Sequence, residues 1–165
     1  MVATLSRLII LAADKKALRK AVFSKPTDKS IVKAVMSPIT LGGAPCLQLE
    51  YFHSDNKATH KNISLDQDSA PLIETIIGAF CQVNVLTVLG DCEYRVSSKG
   101  KSALLGGDKL MRKLESAAVV AAEKYTGTNN REKRYILDGS EPFLVRLGVS
   151  DKNGRIYDKK QSKFR

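Results

Sequence analysis

The chain has 165 residues, of which 43% are hydrophobic, and it carries a formal net charge of +10 at pH 7. A chain of this length can bury a core of its own, and no apolar run reaches the ~18 residues of a membrane span. Composition therefore indicates a globular domain and excludes a membrane-spanning helix. The positive excess attracts polyanions such as nucleic acids, although a merely solvated basic surface has the same composition.

The N-terminal residues and the cysteines indicate a cytoplasmic protein. The apolar stretch at 8–13 is too short for a signal peptide, and Asp14 with two lysines follows it at once. Cys46, Cys81 and Cys92 are an odd and unclustered set, which predicts reduced thiols and no disulfide framework.

An amphipathic helix is the first predicted element. Leu5, Leu8, Ile9 and Ala12 recur at helical spacing, and Thr4 before them is a candidate N-cap. Four strands are predicted next, because alternating or β-branched stretches are separated by turn residues. These strands are AVFS at 21–24, IVKAVM at 31–36, CLQLEYFH at 46–53 and KATHKNIS at 57–64, separated by KPTDKS, LGGAP and the hairpin turn SDNK.

A second helix and three further strands follow. Ser69 is the preferred N-cap of this helix because it places Pro71 within the tolerant first turn. The apolar residues at helical spacing are Leu72, Ile73, Ile76, Ile77 and Phe80. The strands predicted after them are VNVLTVL at 83–89, CEYRVS at 92–97 and KSALL at 101–105. This order predicts an α+β fold with a largely antiparallel sheet and two or three helices.

The character of the sequence changes at Gly107. Residues 107–165 hold 14 Lys and Arg against 8 Asp and Glu. A helix is predicted from Asp108 to Tyr125, where TGTNN follows and breaks it. A turn is predicted at Asn153-Gly154. We therefore expect an α+β domain at 1–106, followed by a basic helical and linker segment at 107–165.

Two motif candidates fail on spacing. Lys99-Gly100-Lys101-Ser102 resembles the end of a P-loop, but Arg95 stands where that loop needs its first glycine. His53 and His60, even together with the cysteines, lack the close ligand pairs of a structural zinc site. His53 is interpreted as an ordinary half-buried strand residue. The sequence thus predicts no catalytic, metal or cofactor site in this chain.

Two C-terminal segments combine cations with an aromatic ring, which is the composition of RNA-binding surfaces. NNREKRY at 129–135 is the first, and KKQSKFR at 159–165 is the second. A solvated linker has a similar composition, so on composition alone both interpretations stay open. The candidate nucleic-acid-binding residues are Arg131, Lys133, Arg134, Tyr135, Lys159, Lys160, Lys163 and Arg165.

The last forty residues or so also resemble a known arrangement. NNREKRYILDGSEPFLVRLGV, a glycine-containing turn and KKQSKFR are similar to the stretch that precedes the catalytic domain in one family of class I S-adenosylmethionine-dependent methyltransferases. The residues that carry this resemblance are Asn130, Arg131, Lys133, Tyr135, Leu137, Pro142, Phe143, Leu144, Leu147, Gly148, Val149, Lys163, Phe164 and Arg165.

The resemblance implies that the chain is the N-terminal accessory region of such a methyltransferase. S-adenosylmethionine would then be the cofactor of the full-length protein, held by a glycine-rich loop that is missing here, and this fragment would bind no cofactor itself. A basic accessory domain suits an RNA substrate, because it supplies phosphate contacts that the catalytic domain lacks.

A protein-interaction or regulatory module is the alternative function. The apolar run at 142–149 needs a surface on which to bury itself. Phe143, Leu144 and Leu147 would then mediate either docking on the missing catalytic domain or self-association.

Overall fold

The computed structural model describes residues 1–66, 69–118 and 141–157, and the chain forms two compact units, Met1–Asn129 and Asn130–Arg165. The first unit contains three helices and seven strands within its described residues. Its helices are α1 (Val2–Asp14), α2 (Ser69–Gly78) and α3 (Gly107–Ser116). Its strands are β1 (Leu18–Pro26), β2 (Ile31–Leu41), β3 (Ala44–His53), β4 (Ala58–Ser64), β5 (Phe80–Thr87), β6 (Asp91–Val96) and β7 (Ser102–Leu105).

The seven strands form one antiparallel sheet in the order β4-β3-β2-β1-β5-β6-β7. The predicted α+β fold with an antiparallel sheet is confirmed. Strands β1 and β5 pair at the centre, and each is preceded by a helix and followed by strands that proceed outward. The described part of the first unit therefore consists of two similar halves, each a helix followed by a meander, with α3 added after the second.

One face of the sheet carries the core. Phe23 on β1, Met36 on β2, Leu49 on β3 and Val83 on β5 are fully buried together with apolar residues of the helices. Successive strand residues point to opposite faces, so the intervening polar residues lie on the other face. The rings of Phe23 and Phe80 meet at 5.5 Å near the centre of this core.

Helix α1 begins earlier than predicted. It starts at Val2 with Met1 as its N-cap, and no side chain provides a capping hydrogen bond, so the prediction of a cap at Thr4 is wrong. The predicted apolar stripe is confirmed, because Leu5, Leu8 and Ile9 are fully buried. Helix α1 packs against both α2 and α3.

Helix α2 spans Ser69–Gly78. Ser69 is thus its first helical residue and not the predicted N-cap, and the Ser69 hydroxyl donates to the Asp66 carbonyl. Assigning Phe80 to this helix was wrong, because Phe80 is the first residue of β5 and pairs with Pro26. The amide of Thr27 donates to the carbonyl of Ala79, so the chain leaves the helix directly into the sheet.

Helix α3 is shorter than predicted. It ends at Ser116, and Ala117 is extended with a ψ of 138°, so the prediction of one continuous helix from Asp108 to Tyr125 is wrong. Residues 119–125 of that prediction lie outside the described residues. Leu110 and Leu114 are buried in the core beneath α1 and β6. The first compact unit therefore extends beyond the boundary that the sequence predicted near Gly107.

The predicted hairpin turn at SDNK is confirmed, and the separator LGGAP also closes a hairpin. Gly42 and Gly43, with φ of 57° and 84°, close the β2–β3 hairpin, in which Leu41 pairs with Ala44. Positive φ at both central residues is the requirement of a type I′ turn, which only glycine and a few polar residues meet easily. Asn56, with a φ of 63°, turns the chain from β3 into β4.

The second unit is described at residues 141–157. Helix α4 (Pro142–Arg146) begins with proline in its first turn and is followed by Gly148, with a φ of 63°. The predicted turn at Asn153-Gly154 is confirmed: the carboxylate of Asp151 accepts hydrogen bonds from the amides of Asn153 and Arg155. Leu144 is buried, whereas the exposed fractions of Phe143 and Leu147 are 50% and 70%.

Candidate nucleic-acid interface

All eight candidate nucleic-acid-binding residues lie outside the described residues. Four are in the segment at 119–140 and four in the segment at 158–165. Their proposed contacts with RNA therefore stay predictions. Within the described residues, the candidate interface is on the first unit, on the face of the sheet opposite its helices.

One row of side chains on that face crosses five neighbouring strands. Strand pairing places Phe52 opposite Lys33, Lys33 opposite Ser24, Ser24 opposite Gln82, and Gln82 opposite Arg95. We name these five residues the Phe52 row. Neighbouring strands lie about 4.8 Å apart, so the row spans roughly 19 Å from β3 to β6. It contains one aromatic ring, two cations, one amide and one hydroxyl group, and no carboxylate.

The aromatic end of the row is already associated with a cation. The Lys33 ammonium lies 4.7 Å from the centroid of the Phe52 ring. Phe52 is half-buried and Lys33 is exposed. The negative face of the ring attracts the ammonium, which fixes both side chains on the surface of the sheet. A nucleobase that stacks on this face of the ring must displace the ammonium, which is then available to a phosphate.

The other end of the row is organised by Glu93, the residue next to Arg95 on the same face of β6. The Arg95 Nε lies 2.7 Å from Glu93 Oε1, and Gln82 Nε2 donates to the same oxygen at 2.6 Å. The hydrogen bond from Arg95 lowers the pKa of Glu93, and the charge of nearby Lys25 contributes to the same shift. Glu93 thus orients the Arg95 guanidinium, whose side chain remains 58% exposed.

The adjacent row on this face has a different character. Glu50, Val35, Val22, Asn84 and Glu93 pair in that order across the same five strands. Its two carboxylates stand at the ends, and Glu50 Oε1 lies 4.0 Å from His60 Nδ1. The centre consists of Val35, Val22 and Asn84, which are half-buried. The Phe52 row therefore presents two cations, whereas the adjacent row presents two carboxylates.

A shallow depression of about 390 Å³ lies at the end of the sheet, beside the β3–β4 hairpin. The ring of His53 forms a 2.9 Å hydrogen bond with the Thr59 hydroxyl, and His53 is half-buried at the end of β3, which confirms its interpretation. Asp28 accepts a hydrogen bond from the amide of Ser30, which lowers the pKa of that carboxyl group. The Lys57 ammonium, 2.8 Å from Asp55, and the Lys57 amide donate to the Asp55 carboxylate and lower its pKa. These groups stabilise turns, and none is positioned as a catalytic base.

Cys92 is not an activated nucleophile. Burial, with a smaller contribution from the charge of Asp91, raises the pKa of the Cys92 thiol to about 11. A thiol with this pKa is protonated near neutral pH, whereas reactive cysteines have lowered pKa values. Among the described residues there is no group of three His, Cys, Asp or Glu side chains that could hold a metal ion.

The Phe52 row is not apparent in the amino-acid sequence. Phe52, Lys33 and Arg95 each lie in a predicted strand, but they are distant in sequence and belong to no motif. The only available signal was the alternation of β3, which separates Phe52 from the buried Leu47 and Leu49. Strand order and register, which bring the five residues together, are not visible in that alternation.

No helix among the described segments is both long enough and apolar enough to cross a membrane. Comparisons of the chain with protein-family models, with curated proteins and with solved structures found no match.

Proposed function

We propose that this chain is the RNA-recruiting part of an S-adenosylmethionine-dependent methyltransferase that acts in the cytoplasm. The observation that carries the RNA-binding half is the Phe52 row, where Lys33, Arg95 and an aromatic ring share one surface without an intervening carboxylate. The net charge of +10 supports it, because release of counterions from phosphates favours binding to a basic protein.

The methyltransferase half of the proposal is supported by the resemblance of the last forty residues. In this proposal S-adenosylmethionine binds to a catalytic domain elsewhere in the full-length protein, and this chain holds no cofactor. The described residues supply contacts to the RNA backbone and bases. The basic segments at 129–135 and 159–165 supply further phosphate contacts.

An RNA titration of the intact chain across a salt series tests the RNA-binding half. Each phosphate contact contributes about −0.7 to the slope of log affinity against log salt for single strands. Replacing Lys33 and Arg95 together by glutamine is expected to weaken binding at low salt and to reduce that slope by about 1 to 1.5. Lys109→Gln on α3 is the matched control, since it removes one exposed charge from the helical side of the unit.

A second test addresses the segment at 129–135. Replacing Arg131, Lys133 and Arg134 by alanine is expected to weaken RNA binding further. Affinity that does not depend on salt, or that is unchanged by both sets of substitutions, would show that this chain is not the RNA-recruiting part.

One observation favours the alternative of a protein-interaction module. Phe143 and Leu147 are exposed apolar residues of the second unit, whereas Leu144 is buried and is not available to a partner. If these residues mediate self-association, sedimentation would show dimers that form with increasing concentration and that disappear in Phe143→Asp. The same variant would leave RNA affinity unchanged under the first proposal.

A further inference from the structure

The composition of the Phe52 row distinguishes between forms of RNA. In a duplex the bases are stacked and paired, so a protein reaches mainly phosphates and 2′-hydroxyls. A phenylalanine ring and an amide contribute little to such a surface. In a single strand the bases are free to stack on an aromatic ring and to form hydrogen bonds along their edges. The row contains side chains for both interactions.

We infer, on the basis of the proposed function, that the ligand of this face is single-stranded RNA that lies across the strands along the Phe52 row. A base that stacks on this face of Phe52 displaces the Lys33 ammonium, which lies over the ring 4.7 Å from its centroid, and the displaced ammonium pairs with a phosphate. Ser24 and Gln82 occupy the middle of the row and can contact base edges. Arg95, held by Glu93, contacts a phosphate farther along the strand.

The charged residues beside the Phe52 row restrict where a polyanion can lie on this face. Glu50 and Glu93 stand in the adjacent row, so an RNA strand displaced toward them would meet two carboxylates. Lys57, whose ammonium lies 2.8 Å from the Asp55 carboxylate, and the exposed Lys25 lie toward the opposite side, at the end of the sheet with the β3–β4 hairpin. Repulsion by the two glutamates therefore favours a polyanion on the Phe52 row over the adjacent row.

The inference is tested with an unstructured RNA of about 12 nucleotides, which fits the range of single-strand sites. The same strand annealed to its complement serves as the duplex probe. Fluorescence anisotropy with the intact chain is expected to show tighter binding of the single strand. Phe52→Leu, which retains apolar bulk but removes the ring, is expected to weaken single-strand binding about 5- to 100-fold and to leave duplex binding unchanged. Phe52→Tyr retains the ring and is expected to retain the affinity.

Thermal melting of each variant verifies that it is folded, and Lys33→Gln provides the comparison for charge alone. The single-strand inference would be overturned if both probes bound with equal affinity, if Phe52→Leu did not change either affinity, and if Lys33→Gln weakened the binding of both. That result would still be consistent with RNA recruitment. Failure of both probes to bind the unaltered chain would overturn the proposed function itself. Loss of affinity in Phe52→Tyr as well as Phe52→Leu, in folded variants, would also contradict stacking on the ring.

Discussion

Lys16 shows how a single residue limits the stability of a helix end. It follows α1 in the left-handed conformation with a φ of 54°, and its side chain is exposed. The amide of Lys16 donates to the Ala13 carbonyl, and that of Ala17 donates to the Ala12 carbonyl. These two bonds form a Schellman motif, in which glycine is the preferred residue because a Cβ atom disfavours positive φ.

We therefore predict that Lys16→Gly stabilises the protein. Removing the Cβ relieves a strain of about 1–2 kcal/mol, and the extra freedom of glycine in the unfolded chain offsets part of it. The expected gain in the free energy of unfolding is about 0.5–1 kcal/mol, measured by urea denaturation. Lys16→Ala removes the same charge but keeps the Cβ, so it should not stabilise; an equal gain in both variants would assign the effect to charge.

Individual residues also show the limit of local patterns. Phe80 fits the helical period of Ile73, Ile76 and Ile77, yet it lies in β5 because its ring packs against Phe23 and its backbone pairs with Pro26. Likewise Phe52 and Lys33 are unremarkable in sequence. Their meeting depends on the pairing of β2 with β3, which is a property of the fold and not of either segment.

At the scale of elements, the connection from β7 to α3 is closely packed at Gly106. Gly106 has a φ of 75°, and a Cβ added to it would lie 3.0 Å from the backbone oxygen of Asp91. Gly42 in the β2–β3 hairpin has a φ of 57° but no atom within 4 Å of an added Cβ. The two glycines therefore share a backbone conformation and differ in the space around them.

Substituting asparagine at both positions distinguishes the effect of positive φ from the effect of steric crowding. Asparagine tolerates positive φ and is favoured before glycine in a type I′ turn, so Gly42→Asn should change the free energy of unfolding by less than about 0.5 kcal/mol. Gly106→Asn must displace backbone and is expected to destabilise by about 1–2 kcal/mol. Thermal melts of both variants give the comparison. Equal costs would mean that the contact with Asp91 is unimportant.

The ends of elements differ from the predictions for identifiable tertiary reasons. The Lys15 ammonium donates to the Ala117 carbonyl at 2.9 Å, a contact between residues 102 positions apart that accompanies the end of α3. The Lys113 ammonium donates to the Leu89 carbonyl in the same way. Strand β2 continues through Pro38, which is possible because the β1–β2 pairing ends at Met36 and Pro38 pairs only with β3. None of these contacts is local in sequence.

At the scale of the molecule, α3 joins the first unit through its buried face. Leu110 is 2% exposed and Leu114 is fully buried, and α3 contacts α1 as well as β6. The Arg7–Glu115 ion pair at 3.5 Å joins the same two helices at the surface. Removing a buried leucine side chain costs about 2–5 kcal/mol, which is a large part of the stability of a single domain.

A truncation tests where the first unit ends. Residues 1–129 are expected to fold cooperatively, whereas residues 1–106 lose both leucines and are expected to be largely unfolded, as measured by circular dichroism during thermal melting. In the intact chain, Leu114→Ala should cost about 2–5 kcal/mol. Leu147→Ala in the second unit, where the side chain is 70% exposed, is the matched control. A cooperative melt of 1–106 at the temperature of 1–129 would place the boundary at Gly107 instead.

The sequence by itself determined the α+β class, the positions of most strands, the apolar stripe of α1 and the basic character of the protein. Period, turn chemistry and charge are local properties, so they can be read along the chain. Only the tertiary structure decided the strand order, the ends of α2 and α3, and the row that joins Phe52 and Lys33 to Arg95. These features depend on pairing and packing between distant residues, and a shift of one residue in register would move each strand's side chains to the opposite face.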